Sequence, residues 1–196
     1  MNRHVIVMAL GVASFIAGCK TLPQPTANSE SWEARRVALQ AHEHFEIKGR
    51  VAVAAGQDGF TSTLRWIQNG LQSQLALEGP LGVGGVHVTT DGTALSVVNA
   101  HGERLDSDAA RAELKTRLGF DAPLASLRYW ILGVPDPSFP AAEVIDVERR
   151  LASLQQSGWQ IEYTDYAVVK GEWLPGRMTL LRDDVRVRLI VDHWES

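Results

Sequence analysis

The chain has 196 residues, of which 45% are hydrophobic and 21% charged, and it carries a net charge of −4. That length and composition fit one globular domain with a real core. The absence of any Lys/Arg run argues against a nucleic-acid partner, and a single cysteine excludes an internal disulfide or a cysteine-based zinc site.

The N-terminus reads as a targeting segment. Arg3 supplies a basic start, and "VIVMALGVASFIAG" over residues 5–18 is apolar but too short to span a bilayer comfortably. It ends in Ile16-Ala17-Gly18-Cys19, which resembles the lipobox of bacterial lipoproteins. The resemblance implies cleavage before Cys19 and a lipid anchor of three acyl chains on that residue. Two chains already suffice for stable anchoring. Lys20 follows, where Asp would signal retention in the inner membrane of enterobacteria, so the sorting signal leans to the outer membrane. Residues 1–18 are therefore read as a cleaved signal, 19–30 as lipidated Cys plus a Pro-containing polar tether, and 31–196 as the folded domain.

The domain opens with a helix over about 31–43, capped by Ser31, with Trp32 and Leu39 on one face. Period-2 alternation follows. Phe45, Ile47, Val51 and Val53 share a face, as do Phe60, Leu64 and Trp66, and then Leu71, Leu75 and Leu77. "QDG" at 57–59 and "QNG" at 68–70 are hairpin signals. "EGPLGVGG" at 78–85 is a Pro/Gly turn that carries an apolar Leu81 at its tip. Strands are expected near 84–90, 93–99 and 102–106. Two helices come next, one over 107–119 with Ala110, Leu114 and Leu118 aligned, and one over 121–133 with Leu124, Leu127 and Ile131 aligned beside Trp130. The Pro-rich segment after it is read as a loop, and nothing is assigned to 134–147. Strands return at about 149–156 and 159–166, and as a hairpin over 177–194 around Asp183-Asp184, with Val185, Val187, Leu189 and Val191 facing one way.

About ten or eleven antiparallel strands in one sheet must curl, and three short helices are available to cover the concave side. The expected fold is mainly β: a single curled sheet forming an incomplete barrel. No catalytic constellation stands out, and the chain is read as a non-enzyme without cofactors. "HEH" at 42–44 could ligate a metal but places alternating residues at a helix end, where they point apart into solvent; "GVGG" at 82–85 leads into a strand rather than a helix, and the paired aspartates fit caps and turns. Six tryptophans stand out, either as ordinary core or as the wall of an apolar ligand cavity.

The order of motifs resembles the LolB family of outer-membrane lipoprotein receptors. The matching pieces are the lipobox, the Trp32 helix, "KGRVAV" (48–53), "LRWIQ" (64–68), "EGPLGVGGVHV" (78–88), "GFDAPLASLRYWILGVP" (119–135), "QQSGWQIEY" (155–163), "LPGRMTL" (174–180) and "VRLIVDHW" (187–194). The resemblance implies an incomplete barrel with a helical lid around a hydrophobic cavity. It also implies a monomer that accepts acylated lipoproteins from a LolA-type periplasmic carrier and inserts them into outer-membrane lipid without ATP. On that reading Val51, Leu64, Trp66, Leu75, Val88 and Ile161 are cavity candidates on the sheet, with Leu127 and Trp130 on the lid. Leu81 is the apolar tip of the membrane-delivery loop. The alternative is an outer-membrane lipoprotein that binds a hydrophobic ligand or scaffolds an envelope complex without transfer.

Overall fold

A computed structural model describes residues 31–79 and 85–195. In chain order it has α1 (Trp32–Gln40), β1 (His44–Ala55), β2 (Asp58–Asn69), β3 (Gln72–Glu78), β4 (Val86–Thr90), β5 (Leu95–Val98) and β6 (Arg104–Asp106). These are followed by α2 (Ser107–Leu118), α3 (Leu124–Trp130), β7 (Ala141–Ile145), β8 (Leu151–Gln156), β9 (Trp159–Val169), β10 (Glu172–Arg182) and β11 (Val185–Glu195). All eleven strands form one antiparallel sheet in the order β6-β5-β4-β3-β2-β1-β11-β10-β9-β8-β7. The expected fold class, a single antiparallel sheet of ten or eleven strands with three short helices, is the one observed.

The sheet consists of two meanders, β1–β6 and β7–β11, joined where the first strand pairs with the last. β6 and β7 are its free edges. The segment between them, α2 and α3, must therefore travel from one edge to the other, and it does so over the buried face. Ala110 and Leu114 of α2 pack on Val86, Val88 and Val97 of β4 and β5, while Trp130 of α3 joins the larger cluster built on β1, β2 and β8–β11.

Alternation sets the buried face of the central strands, with Phe45, Ile47, Val51 and Val53 of β1 and Leu64 and Trp66 of β2 all in the core. The turns sit differently from the dipeptides that announce them. Ala55 pairs with Asp58 and Asn69 with Gln72, so the two-residue turns are Gly56-Gln57 and Gly70-Leu71. Each begins with a glycine, at φ 59° and 60°, as the hairpin twist requires. Leu71, which the alternation groups with Leu75 and Leu77, consequently lies in a turn and is exposed. A further difference is β7, an edge strand paired with β8 in a segment whose pattern predicted none. It is short and leaves Val144 exposed, so it carries little alternation to detect.

Simple alternation from Val185 would send Trp194 to the outer face. A bulge corrects this: Lys48 faces His193 but Gly49 faces Val191, so Asp192 is extra and the parity of β11 resets. Trp194 is thereby buried against Phe45, at 5.8 Å between ring centroids, and its Nε1 donates to the Pro175 carbonyl at 3.0 Å. Gly49 sits at the bulge because β11 approaches too closely for a side chain there. A Cβ on residue 49 would overlap the Ile190 carbonyl oxygen.

α1 closes one end of the sheet through polar contacts. Trp32 Nε1 donates to Glu143 Oε2 at 2.7 Å, Arg36 donates to Glu143 Oε1 at 2.8 Å, and Gln40 reaches the Pro135 carbonyl at 2.8 Å. Arg35 is buried and donates to the Trp173 carbonyl. Burial lowers its pKa, opposed by nearby Glu172. Gly49→Ala is expected to destabilise the domain by about 1–3 kcal/mol, the usual cost of overpacking. Urea unfolding checks this: an unchanged midpoint would show that β1 and β11 have room to part.

An apolar cavity beneath the helical segment

Between the sheet and the helices lies a cavity of about 100 Å³. Its floor comes from β1–β4, through residues that include Val51, Leu64, Trp66, Leu75 and Val88, and from β9–β11, through Trp159, Leu180 and Leu189. Its roof is Leu114 and Leu118 of α2, Phe120 in the connection, and Leu124 and Leu127 of α3. Every side chain that lines it is apolar or aromatic. The floor's identity follows from strand parity: the inward positions of β1, β2 and β3 meet in register, with Trp66 opposite Leu75 and Leu75 opposite Val88.

Of the sequence candidates, Val51, Leu64, Trp66, Leu75, Val88 and Leu127 converge on this cavity. Ile161 and Trp130 do not line it. Ile161 is fully buried in the core cluster around β8–β10, and Trp130 is fully buried beside Trp159, with ring centroids 6.4 Å apart. Cys19 and Leu81 lie outside the described residues. Phe120, Leu118 and Trp159 were absent from the sequence candidates. The aligned face of α2 identifies Leu118 as inward, but nothing local tells an inward residue that lines a void from one that fills it.

Trp130 serves as an anchor. Its Nε1 donates to Gln156 Oε1 at 2.7 Å, and Tyr163 Oη donates to its carbonyl at 2.8 Å. Gln156, on β8, also accepts from the Asp136 amide at 2.9 Å and donates to the Asp136 and Phe139 carbonyls, both at 2.9 Å. Asp136 in turn accepts from Ser126 Oγ at 2.7 Å. This buried network ties the C-terminal end of α3 and the turn after it to β8 and β9. Burial raises the Tyr163 phenol well above its ordinary pKa, so it remains a neutral donor.

The rest of the roof is held differently. Leu114, Leu118, Phe120, Leu124 and Leu127 have no side-chain hydrogen-bonding group, so they meet the floor by apolar contact alone. Leu114, Ala122 and Leu124 also line a second space, a groove of about 320 Å³ bordered by Arg111, Lys115 and Arg128. They are the partition between the groove and the cavity. Lys115 and Asp121 pair across the α2–α3 connection at 2.8 Å, next to Gly119, which ends α2 at φ 82°.

The sequence profile of the family described as "Outer membrane lipoprotein LolB" matches residues 43–194. The chain belongs to the LolB family. A relative named outer-membrane lipoprotein LolB from Nitrosococcus oceani is 36% identical, with 97% of this chain and 96% of that protein covered. Another of the same name from Pseudomonas aeruginosa is 32% identical, covering 98% and 97%. Among solved structures, a LolA superfamily protein from Nitrosomonas europaea shares the fold at TM-score 0.55 and 11% identity, covering 85% of this chain and 94% of that one. A DUF1329 family protein from Desulfovibrio piger does so at TM-score 0.59 and 9% identity, covering 84% and 90%.

Gln156→Leu leaves the Trp130 and Asp136 N–H groups and two carbonyls without partners inside the fold. The two stranded N–H donors alone, at roughly 1–3 kcal/mol each, put the expected cost at about 2–6 kcal/mol. Amide exchange should also accelerate in residues 130–134. Exchange that stays at the wild-type rate there would show that apolar packing alone holds the end of α3.

Proposed function

We propose that this LolB family member is an outer-membrane lipoprotein receptor that takes acylated lipoproteins from a LolA-type periplasmic carrier and inserts them into the outer membrane. The observation that supports this most directly is the wholly apolar cavity under a helical roof that is bonded to the sheet at Trp130 and turns only apolar side chains to the cavity. Acyl chains are the ligand class that such a wall suits, because it offers nothing to a polar ligand.

The cavity as it stands is smaller than a site that holds one benzene, about 150 Å³. Acyl chains therefore require the roof to lift. The structure has a natural place for that movement: α2 and the start of α3 swing outward while Trp130 stays on Gln156. Removing the partition of Leu114, Ala122 and Leu124 merges the cavity with the neighbouring groove and gives the chains their way in. No nucleoside triphosphate takes part. Lipoprotein moves down a gradient of affinity from carrier to receptor to bilayer, since a ligand shifts an equilibrium only by its differential affinity.

Residues 1–18 act as the signal, Cys19 carries the lipid, residues 20–30 form the tether, and 31–196 form the binding domain, working as a monomer. Intact-mass measurement of the membrane-extracted protein should show a species beginning at residue 19 with three acyl chains. A free thiol on that species would remove the anchor from the scheme.

Leu81 delivers the cargo by entering the acyl region, where a Leu side chain gains roughly 1.5–3 kcal/mol. A carboxylate at that position meets a desolvation penalty instead. Leu81→Glu should leave stability within about 0.5 kcal/mol of wild type, as for a surface substitution. It should accept lipoprotein from a loaded carrier and then fail to release it into liposomes. The two steps are measured separately on one preparation. No uptake by the unaltered protein sinks the receptor reading, and wild-type release by the variant sinks the role of Leu81 alone.

A further inference from the structure

The cavity shares walls with spaces at both ends of β3. The groove bordered by Arg111, Lys115 and Arg128 lies where that strand begins, beside Leu71 and the β4–β5 turn at Gly92 and Thr93. A separate cleft of about 320 Å³ lies where the strand ends, between the start of β2, the residues Leu77 and Gly79, and the last turn of α2. Seven residues of β3 separate the two, about 20 Å at a rise of about 3.4 Å per residue.

Cleft and cavity have four side chains in common: Phe60, Leu77, Leu114 and Leu118. Leu114 lines the groove as well, so α2 lies across both ends of one continuous path. The two ends differ in chemistry. The groove carries three cationic side chains and the carboxylates of Asp121 and Asp136. The cleft's shared wall is wholly apolar, and its polar members make no demand on an apolar occupant: Thr61 and Arg117 are exposed, while Ser62 is buried and its Oγ donates to the Glu78 carbonyl at 2.7 Å. A third cleft, at the β1–β2 turn, shares Val53, Phe60 and Leu118 with the cavity but is bordered by Asp58 and Asp184, which an acyl chain would have to pass. Phe60, Leu77 and Leu118 are each half-buried, and they can part without stranding a polar group of their own. The cleft also reaches Gly79, which Leu81 follows two residues later in the chain.

We propose that the cleft beside Phe60, Leu77 and Leu118 is a second acyl-chain site and the way out of the cavity, so that cargo enters through the groove and leaves at the opposite end of β3. This rests on the lipoprotein-receptor reading and gives it a direction. The charged groove suits the watery encounter with a carrier, where the polar end of the cargo must be accommodated. The apolar cleft lets a chain pass from cavity to bilayer without crossing charged groups, beside the segment that carries Leu81. Separate openings also let the chains advance instead of reversing, so loading and unloading need not compete for one mouth.

The test uses residues 19–196 with Cys19→Ala, which removes the chain's one thiol. Ser62→Cys places a thiol in the cleft and Ala125→Cys places one in the groove, and neither residue lines the cavity. Thr61→Cys, exposed on the same cleft, replaces Ser62→Cys if that variant does not load before labelling. Each thiol is given a charge with sulfonatoethyl methanethiosulfonate and freed again with dithiothreitol. The cargo is a tripalmitoyl-cysteine lipopeptide on a LolA-type carrier, and the acceptor is vesicles of phosphatidylethanolamine and phosphatidylglycerol. With the cleft labelled, the protein should load at the unlabelled rate and release about tenfold more slowly, since a charge is costly in an apolar passage. With the groove labelled, loading should slow, and release should be unchanged when the label is added after loading. Dithiothreitol should restore both steps. A cleft thiol that does not react, release untouched by the cleft label, loading untouched by the groove label, or both steps slowed together by either label overturns the two-opening path alone. Failure of the unlabelled protein to load overturns it together with the receptor reading.

Discussion

The pairing of β1 with β11 is the constraint on which the rest of the structure depends. It joins the first strand to the last along nearly their whole lengths, from Glu46–Glu195 to Ala55–Val185. Long-range pairing of this kind carries a loop-closure cost, and here it encloses almost the entire domain. Once it is made, each half of the chain can extend the sheet outward hairpin by hairpin. The free edges fall at β6 and β7, and the chain between them has to cross the face that all the inward side chains share. The roof is thus a topological consequence, and the space beneath it exists because two short helices and their connections cannot fill a face eleven strands wide. The bulge at Gly49 and Asp192 is what lets this central pair bend while keeping Trp194 inside.

Two kinds of adhesion hold that roof, and they divide it into parts with different properties. At the end of α3, Trp130, Gln156, Asp136, Ser126 and Tyr163 form a directional network whose members are each satisfied by a specific partner. Such contacts are made or lost as a unit. Along α2 and the start of α3 the side chains that face the cavity are leucines and a phenylalanine, which can slide or exchange neighbours without stranding a polar group of their own. A segment bonded at one end and packed on its cavity side by apolar contact gives the proposed roof movement a direction.

Much of this was legible in the sequence because strands alternate and helices repeat. Phe45, Ile47, Leu64 and Trp66 announced their face, and Ala110, Leu114 and Leu118 announced theirs. What escaped has a common physical cause: it depends on partners distant in the chain. The bulge is invisible in β11 alone, since the extra residue is defined only against β1. β7 is too short and too exposed to show a period. The turns at Gly56 and Gly70 were displaced because a glycine fits either side of a two-residue turn. Trp130 and Leu127 sit on one short helix, yet one is an anchor and the other a wall. Gln156, on which the anchor depends, looks like any polar residue at a strand end. The family resemblance carried the function further than the residues could, and the small volume of the closed cavity was not contained in it.

The slippery part of the roof has a thermal character of its own. Apolar contact is driven mainly by entropy near room temperature and weakens on cooling, whereas the hydrogen bonds around Gln156 do not share that dependence. Lifting α2 from the sheet exposes apolar surface and so carries a positive heat-capacity change. Cold therefore slackens the roof while leaving its attachment in place, and warmth presses it down. For a protein in the outer layer of a cell, with no homeostasis between it and the surroundings, a roof that lifts as proposed would follow the temperature of the medium directly.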